Sequence, residues 1–275
     1  MIYNGKTIVA YANFNGAAAE PKELTESWKE LRTRIRNGDY DGINIGDYKT
    51  ITLEGGESVV MEVAGIDTYY GSGSYYNRTG HHIDFISRDC LESIGLRQYN
   101  STNTNNGGKV TEANGSYWAQ NPYKFSELGR ALSDMGEGSI WSELPEDLRD
   151  CIYPKIATVE HRQTDAGEVA ANTGEGEEFL GYLWLPFELE VFGRHDHSDA
   201  RYGSGGGSNM QYPIFKNTTK HLEKGFGKGG ERTSWWMASA YANSKYSFLG
   251  VSVSGQSGIY IATEKLGVPL CFRIK

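Results

Sequence analysis

Between Pro21 and Tyr40 the apolar residues Leu24, Trp28, Leu31 and Ile35 recur at helical spacing, with a proline ahead of the run and Gly38 behind it. A stripe with that period and that punctuation predicts a helix. From Ile45 the period drops to two. In "YKTITLEGGESVVMEVAGIDTYY" two β-rich runs flank Glu54-Gly55-Gly56-Glu57, which predicts a hairpin. "HHIDFISRDCLESIG" predicts a strand passing into a short helix. "KFSELGRALSDM" and "LPEDLRDCIYPKIATV" predict helices that start near Ser126 and Pro145. "FLGYLWLPFELEVFG" is apolar enough to be buried. In "YSFLGVSVSGQSGIYIAT" the residues Phe248, Val251, Val253, Ile259 and Ile261 partly alternate with polar ones. Two strands joined near Gly255 to Gly258 are expected there, with the apolar members facing the core.

Polar stretches separate these elements. "STNTNNGGKVTEANGS", the acidic and glycine-rich region from Asp165 to Glu178, and "RHDHSDARYGSGGGSNMQ" all read as exposed loops. Residues 1 to about 20 could form a short strand, "KTIVAYANF", and a small-residue linker, "GAAAE". The pattern is that of an α+β chain with small antiparallel sheets, two or more helices and long recognition-type loops. The expected division is an attachment or oligomerisation segment over 1–40 (strand, linker, helix) and a binding domain over 41–275.

The 275 residues carry a formal net charge of -8, which argues against nucleic-acid backbones and anionic membranes as partners. No uninterrupted apolar run approaches the length of a membrane span, and the first residues lack a basic, then apolar, leader. Cys90, Cys151 and Cys271 show no paired spacing, so free and mostly buried thiols are expected.

Candidate chemistry is sparse. His195, Asp196, His197 and Asp199 are metal-ligating types, but no further ligand stands at a diagnostic spacing. His81, His82 and Asp84 lack a nucleophile elbow nearby, and "GSGGGS" at 203–208 is not followed by the Lys-Ser or Lys-Thr of a phosphate loop. With thirty-five acidic residues, no carboxylate pair stands out for glycoside hydrolysis. No catalytic residue, metal or cofactor is assigned, and the expectation is a protein that is not an enzyme.

Residues 233 to 263 are different in texture. Trp235 and Trp236 are followed by a run of Ser, Ala, Tyr, Gly and Asn, the residues from which antibody paratopes are built. Adjacent tryptophans on a strand point to opposite faces, so two readings stay open: both are structural, which is the favoured one, or one belongs to the core and the other, Trp236, floors a ligand site.

"LWLPFELEVFG", "YPIFKN", "SWWMAS" and "LGVPLCFRI" follow one another in an order that resembles a domain common in phage structural proteins and surface proteins of gut bacteria, where the pattern looks like "LWLPSE.EVFG", "YP.F", "WWLRSP" and "GV.P.F.I". Met237-Ala238-Ser239 departs from "LRSP", and Leu270-Cys271 from the commoner small or apolar pair. The resemblance covers roughly residues 25 to 275. It implies a C-type lectin-like fold, without the Glu-Pro-Asn, Gln-Pro-Asp or Trp-Asn-Asp signatures of calcium lectins. It also implies a C-terminal segment, 235–263, of the kind that a diversity-generating retroelement varies in phage tropism determinants. The contact set expected on that surface is Trp236, Ser239, Tyr241, Asn243, Ser244, Tyr246, Ser252, Ser254 and Tyr260. The function implied is that of a phage structural or receptor-binding protein, made in the bacterial cytoplasm and displayed on the virion. Its partners would be a host-surface glycan or protein, other virion proteins and further copies of itself, for instance in a trimer. Two alternatives stay open: a scaffold or decoration protein of a capsid or tail, and a hydrolase of surface polysaccharide.

Overall fold

The computed structural model describes residues 2–3, 6–7, 20–73, 78–103, 121–163, 171–198, 211–216, 218–227 and 230–275. The predicted loop 101–116 lies mostly outside them, as does most of 194–211. At the N-terminus β1 (Ile2–Tyr3) and β2 (Lys6–Thr7) pair with each other. The predicted helix is α1 (Trp28–Arg36). It starts at Ser27 rather than after Pro21 because Ser27 and Glu30 close a reciprocal capping box. Upstream of that cap the chain is extended and Leu24 N donates to Tyr48 O at 2.7 Å.

Next come β3 (Tyr48–Thr52) and β4 (Ser58–Ile66), the hairpin expected at Glu54 to Glu57, and then β5 (Ile83–Ser87). No helix follows β5; residues 91–95 turn instead. Short helices α2 (Pro122–Phe125), α3 (Glu127–Ser133), α4 (Ile140–Glu143) and α5 (Glu146–Arg149) form the middle of the chain. Ser126 caps α3 through Gly129 N, as its position predicts.

The helix expected across 144–159 stops at Arg149. Pro154 cannot continue a helix, and from Lys155 burial alternates with period two, so the chain forms β6 (Ile152–Tyr153) and β7 (Lys155–Gln163). β8 (Ala171–Gly181) pairs with β7, so most of the predicted loop 165–178 is a strand held by backbone pairing.

Then follow α6 (Glu188–Phe192), a 3-10 turn (Pro213–Phe215), β9 (Gly225–Phe226), β10 (Glu231–Arg232), β11 (Trp235–Ala240), β12 (Ser247–Val251), β13 (Ser257–Ile261) and β14 (Cys271–Ile274). The result is a mixed α+β fold with small antiparallel sheets and a few short helices. The main sheet has the order β3-β4-β5-β14-β6, and β11-β12-β13 form a separate sheet.

Helix α1 is not part of a detachable segment. Trp28 meets Phe85 and Phe272 edge-on at 5.5 and 5.7 Å, and Leu31 and Ile35 are fully buried. Phe85 and Phe272 are register partners on β5 and β14, so the helix covers one face of the main sheet. The helix expected within the 1–40 segment thus packs into the same core as the residues that follow it. A helix that buries three large side chains in the common core is an integral part of it.

The other face of that sheet is charged. Arg273 on β14 and Asp84 on β5 are direct cross-strand partners and form a two-pronged ion pair, Nε to Oδ1 at 2.6 Å and an end nitrogen to Oδ2 at 2.8 Å. Tyr212 OH donates to the same carboxylate at 3.0 Å. Lys155 pairs with Glu190 of α6, which also accepts from Tyr69 OH. All four ions are buried. Gly65, at a bulge in β4, makes room: a Cβ there would stand 2.1 Å from Thr68 Oγ1 and 3.1 Å from the Tyr212 ring.

His82 lies fully buried beside this network. Its Nδ1 faces Gly80 O at 2.8 Å and its Nε2 accepts from Tyr69 N, which requires the neutral imidazole. Burial, reinforced by the Arg273 charge, lowers its pKa from the ordinary 6.5 to about 4. Between those two values the unfolded chain binds a proton that the folded one refuses, so stability is complete above the ordinary value and falls as pH drops toward 4. The contribution lost is about 3 kcal/mol. Burial alone would raise the Asp84 carboxyl, but Arg273 outweighs it and holds it below the usual carboxylate range, so its contribution is lost only at lower pH. Denaturant melts of His82→Gln between pH 7 and 4 are expected to show a pH slope smaller by about one proton than the wild type. An unchanged slope would place the acid sensitivity elsewhere.

Candidate functional site

The expected contact residues do not form one patch. Trp235 and Trp236 are both fully buried. Trp235 donates its indole N–H to Leu222 O and Trp236 donates to Arg97 O. Neither floors a ligand site, because both faces of β11 are covered: Phe215 stacks by Trp235, and Tyr99 and Tyr260 meet Trp236 edge-on. Ser239 is buried too, its Oγ accepting from Glu188 N at 2.9 Å. Trp236 and Ser239 thus leave the contact set.

Ser252 and Ser254 build the turn between β12 and β13. Their hydroxyls lie 3.0 Å apart, and Ser252 Oγ accepts from Gln256 N. The five residues of β12 separate that turn from Tyr246, a distance of roughly 20 Å. The two serines therefore sit at the far end of the sheet from the tyrosine-bearing turn.

That turn, residues 241–246, contains Tyr241, Asn243, Ser244 and Tyr246. It closes through Tyr241 N to Ser247 O at 3.1 Å and Tyr246 N to Ser244 Oγ at 3.1 Å. Asn243 and Tyr246 are exposed. Tyr260 is half-buried, its ring against Trp236 and its hydroxyl near Ser234 Oγ. It supports the sheet from beneath.

Ile259 and Ile261 alternate with Tyr260 on β13 and so occupy the opposite face. Their partners on β12, Leu249 and Ser247, are buried, yet Ile259 and Ile261 remain 42% and 44% exposed, with Tyr246 at 46% and Val253 at 49%. Val253, Ile259 and Ile261 were expected in the core. Nothing covers them among the described residues, because β13 is the outer strand of its sheet. These three are thus part of the surface, whereas Phe248 and Val251 are buried as expected.

A buried carboxylate organises this face. Glu188, the first residue of α6, accepts from His197 N, Ser198 N and Ser198 Oγ (2.6 Å for the last), and from Ser257 Oγ of β13 at 2.8 Å. The loop 195–198 is thereby fastened to the sheet, and Ala242 N donates to His197 O at 2.9 Å, tying in the tyrosine-bearing turn. Residue spacing gives no sign of Glu188, since its donors come from a polar loop at 197–198 and from Ser257, 69 residues away. The only hint was an acidic residue inside an apolar run.

His195 Nδ1 lies 2.7 Å from Ser198 Oγ. The hydroxyl has a single proton and spends it on Glu188, so it accepts from the imidazole. A nucleophile would need the reverse. Among the described residues no three His, Cys, Asp or Glu side chains are grouped to hold a metal, and Asp199 lies outside those residues. The three cysteines are free and buried, and no described helix is long and apolar enough to cross a membrane.

Glu188→Ala would leave three backbone or hydroxyl donors of the loop and the Ser257 hydroxyl without their shared acceptor. A loss of about 3 kcal/mol in unfolding free energy is expected. Limited proteolysis should then cut within 194–198 well before global unfolding, whereas the wild type resists.

No curated protein and no solved structure matches the chain. Residues 87–275 match a family described as a domain of unknown function. That span takes in α6, the whole of the β11–β13 sheet and β14, and it covers well over half of the sequence, so the chain belongs to the DUF6273 family.

Proposed function

We propose that the chain is a non-enzymatic recognition protein with a C-type lectin-like fold, displayed on a phage particle and binding a component of the host surface. Its recognition face is the outer side of β13 together with the 241–246 turn. The observation that carries this reading is the exposed apolar group of Tyr246, Ile259 and Ile261 beside a loop pinned by a buried glutamate. Clustered exposed apolar side chains on a rigid sheet mark interaction sites. β-branched aliphatics suit a protein surface better than a hydroxyl-rich glycan, so a host protein is the favoured ligand.

The division of labour among the sheets supports the lectin-like assignment. β14 returns to the middle of the main sheet, while the segment just before it forms a separate sheet whose turns face outward. The ordered motifs of residues 183–274 map onto the buried parts of this arrangement: Trp184, Trp235, Trp236 and Phe272 are all fully buried. Variation confined to 241–246 and the exposed positions of β13 would leave that frame untouched. Presentation in several copies would raise a weak single-site affinity through avidity.

The test is binding to whole bacterial cells from a panel of gut isolates, with the triple variant Tyr246→Ser, Ile259→Thr, Ile261→Thr as control. Threonine keeps the strand preference of isoleucine, so the variant should fold. Cell binding is expected to drop at least about tenfold, and protease treatment of the cells should abolish it where periodate does not. Equal binding by both proteins would remove this face from recognition. A change of oligomeric state in the variant would favour the scaffold reading.

A further inference from the structure

The pair His81-His82, with Asp84, is only half explained by the buried network. His82 and Asp84 belong to it, whereas His81 faces a surface pocket. That pocket has a volume of about 290 Å³ and is lined by Arg36, Tyr70, Gly80, His81, Tyr153 and Lys275. It lies where the end of α1, the start of β5, β6 and the end of β14 meet. Three of its six lining residues are basic and none is acidic, in a chain whose net charge is -8.

The cations are uncommitted. Arg36, exposed at the end of α1, makes no ion pair among the described residues. Lys275 Nζ rests 4.0 Å from the centre of the Tyr153 ring, which positions the ammonium without neutralising it. A nearby carboxylate, Asp67, is engaged by its neighbours: Oδ2 meets His81 Nδ1 at 2.7 Å, while Oδ1 accepts from Tyr40 OH at 2.7 Å and His82 N at 2.8 Å. Asp67 holds a left-handed backbone, φ 52°, uncommon for a residue other than glycine, to make these bonds.

With Nδ1–H donating to Asp67, His81 Nε2 is left as an acceptor. It lies beside Gly38, where a Cβ would stand only 2.9 Å from it, so the absence of a side chain keeps that nitrogen clear. Tyr70 is largely exposed, its ring 4.6 Å from that of His81. The pocket therefore combines two cations, one hydrogen-bond acceptor and two aromatic rings.

We propose that this pocket binds a ring-bearing carboxylate of the acidic-sugar class. The carboxylate would lie between Arg36 and Lys275, a hydroxyl would donate to His81 Nε2, and the ring would pack on Tyr70 or Tyr153. The size is at the small end for ligand sites, which fits a single ring. A phosphate dianion fits less well. The electronegative C-terminal end of α1 disfavours any anion, a dianion about twice as strongly as a monoanion, and a helix N-terminus that would offset this with N–H donors is not among the lining elements. The site is separate from the β13 face, and Arg36, Tyr70 and His81 precede the residues matched by the family.

Calorimetric titration with sodium glucuronate tests this, with glucose, acetate and inorganic phosphate as comparisons. Glucuronate is expected to bind with a Kd on the order of 1 mM, and glucose and acetate at least about tenfold more weakly. Arg36→Gln and Lys275→Gln, both at solvent-facing positions, should each weaken glucuronate about tenfold. The Tyr246→Ser, Ile259→Thr, Ile261→Thr variant should bind it as the wild type does. The proposal is overturned if glucuronate does not bind, if acetate or phosphate binds equally well, or if the Arg36→Gln/Lys275→Gln double variant is unaffected. Loss of glucuronate binding in the β13 variant would move the ligand to that face and equally overturn it.

Discussion

The cross-strand pair Asp84–Arg273 is the constraint around which the molecule is assembled. Each ion, taken alone out of water, costs several kcal/mol, so neither strand can hold its charge in the interior without the other. β14 must therefore enter the main sheet beside β5, in the one register that sets Arg273 opposite Asp84. A slip of one residue would bury two uncompensated charges and move Phe272 away from Trp28. Tyr212 and Tyr69 extend the same network to Glu190 and Lys155, closing the sheet's second face with hydrogen-bonded charges.

Helix α6 carries that order across to the outer face of β13. Glu188 and Glu190 are two residues apart on it, roughly 200° around the helix axis. Glu190 points into the ionic core and also caps the helix through Phe187 N at 2.8 Å. Glu188 points the other way and collects the 195–198 loop and β13. One short helix with two buried carboxylates thus links the rigid sheet to the outer one. The exposed residues of β13 stand on this support.

Much of the frame was legible because it rests on local signals. The α1 stripe, the Glu54 to Glu57 hairpin, the Ser126 cap and the turn at Gly255 are each encoded within a few residues, and each forms where the pattern puts it, except that α1 begins at its Ser27 cap and leaves Leu24 outside. The failures also have local causes. Helical spacing in 144–159 continued past a proline that ends it, and the glycine-rich run before Phe179 hid a strand whose partner supplies the pairing. Of the expected contact residues, Tyr241, Asn243, Ser244 and Tyr246 share one turn, while Trp236 and Ser239 are interior and Ser252 and Ser254 lie at the other end of the hairpin.

By itself the sequence determined periods, turns and caps, since these depend on backbone preferences and on neighbours within one or two turns of chain. It also determined that the two tryptophans would be buried anchors or site floors, without choosing between them. Only the tertiary structure decided what covers each face. Phe248 and Ile259 obey the same alternation, yet Phe248 lies under Tyr99 at 3.5 Å and Ile259 faces solvent. The ionic core was equally invisible, because Asp84 and Arg273 are 189 residues apart and a charge reads as a surface residue until its partner is known. Burial is a property of what packs against a side chain, and for β5, α6 and β13 that comes from remote parts of the chain.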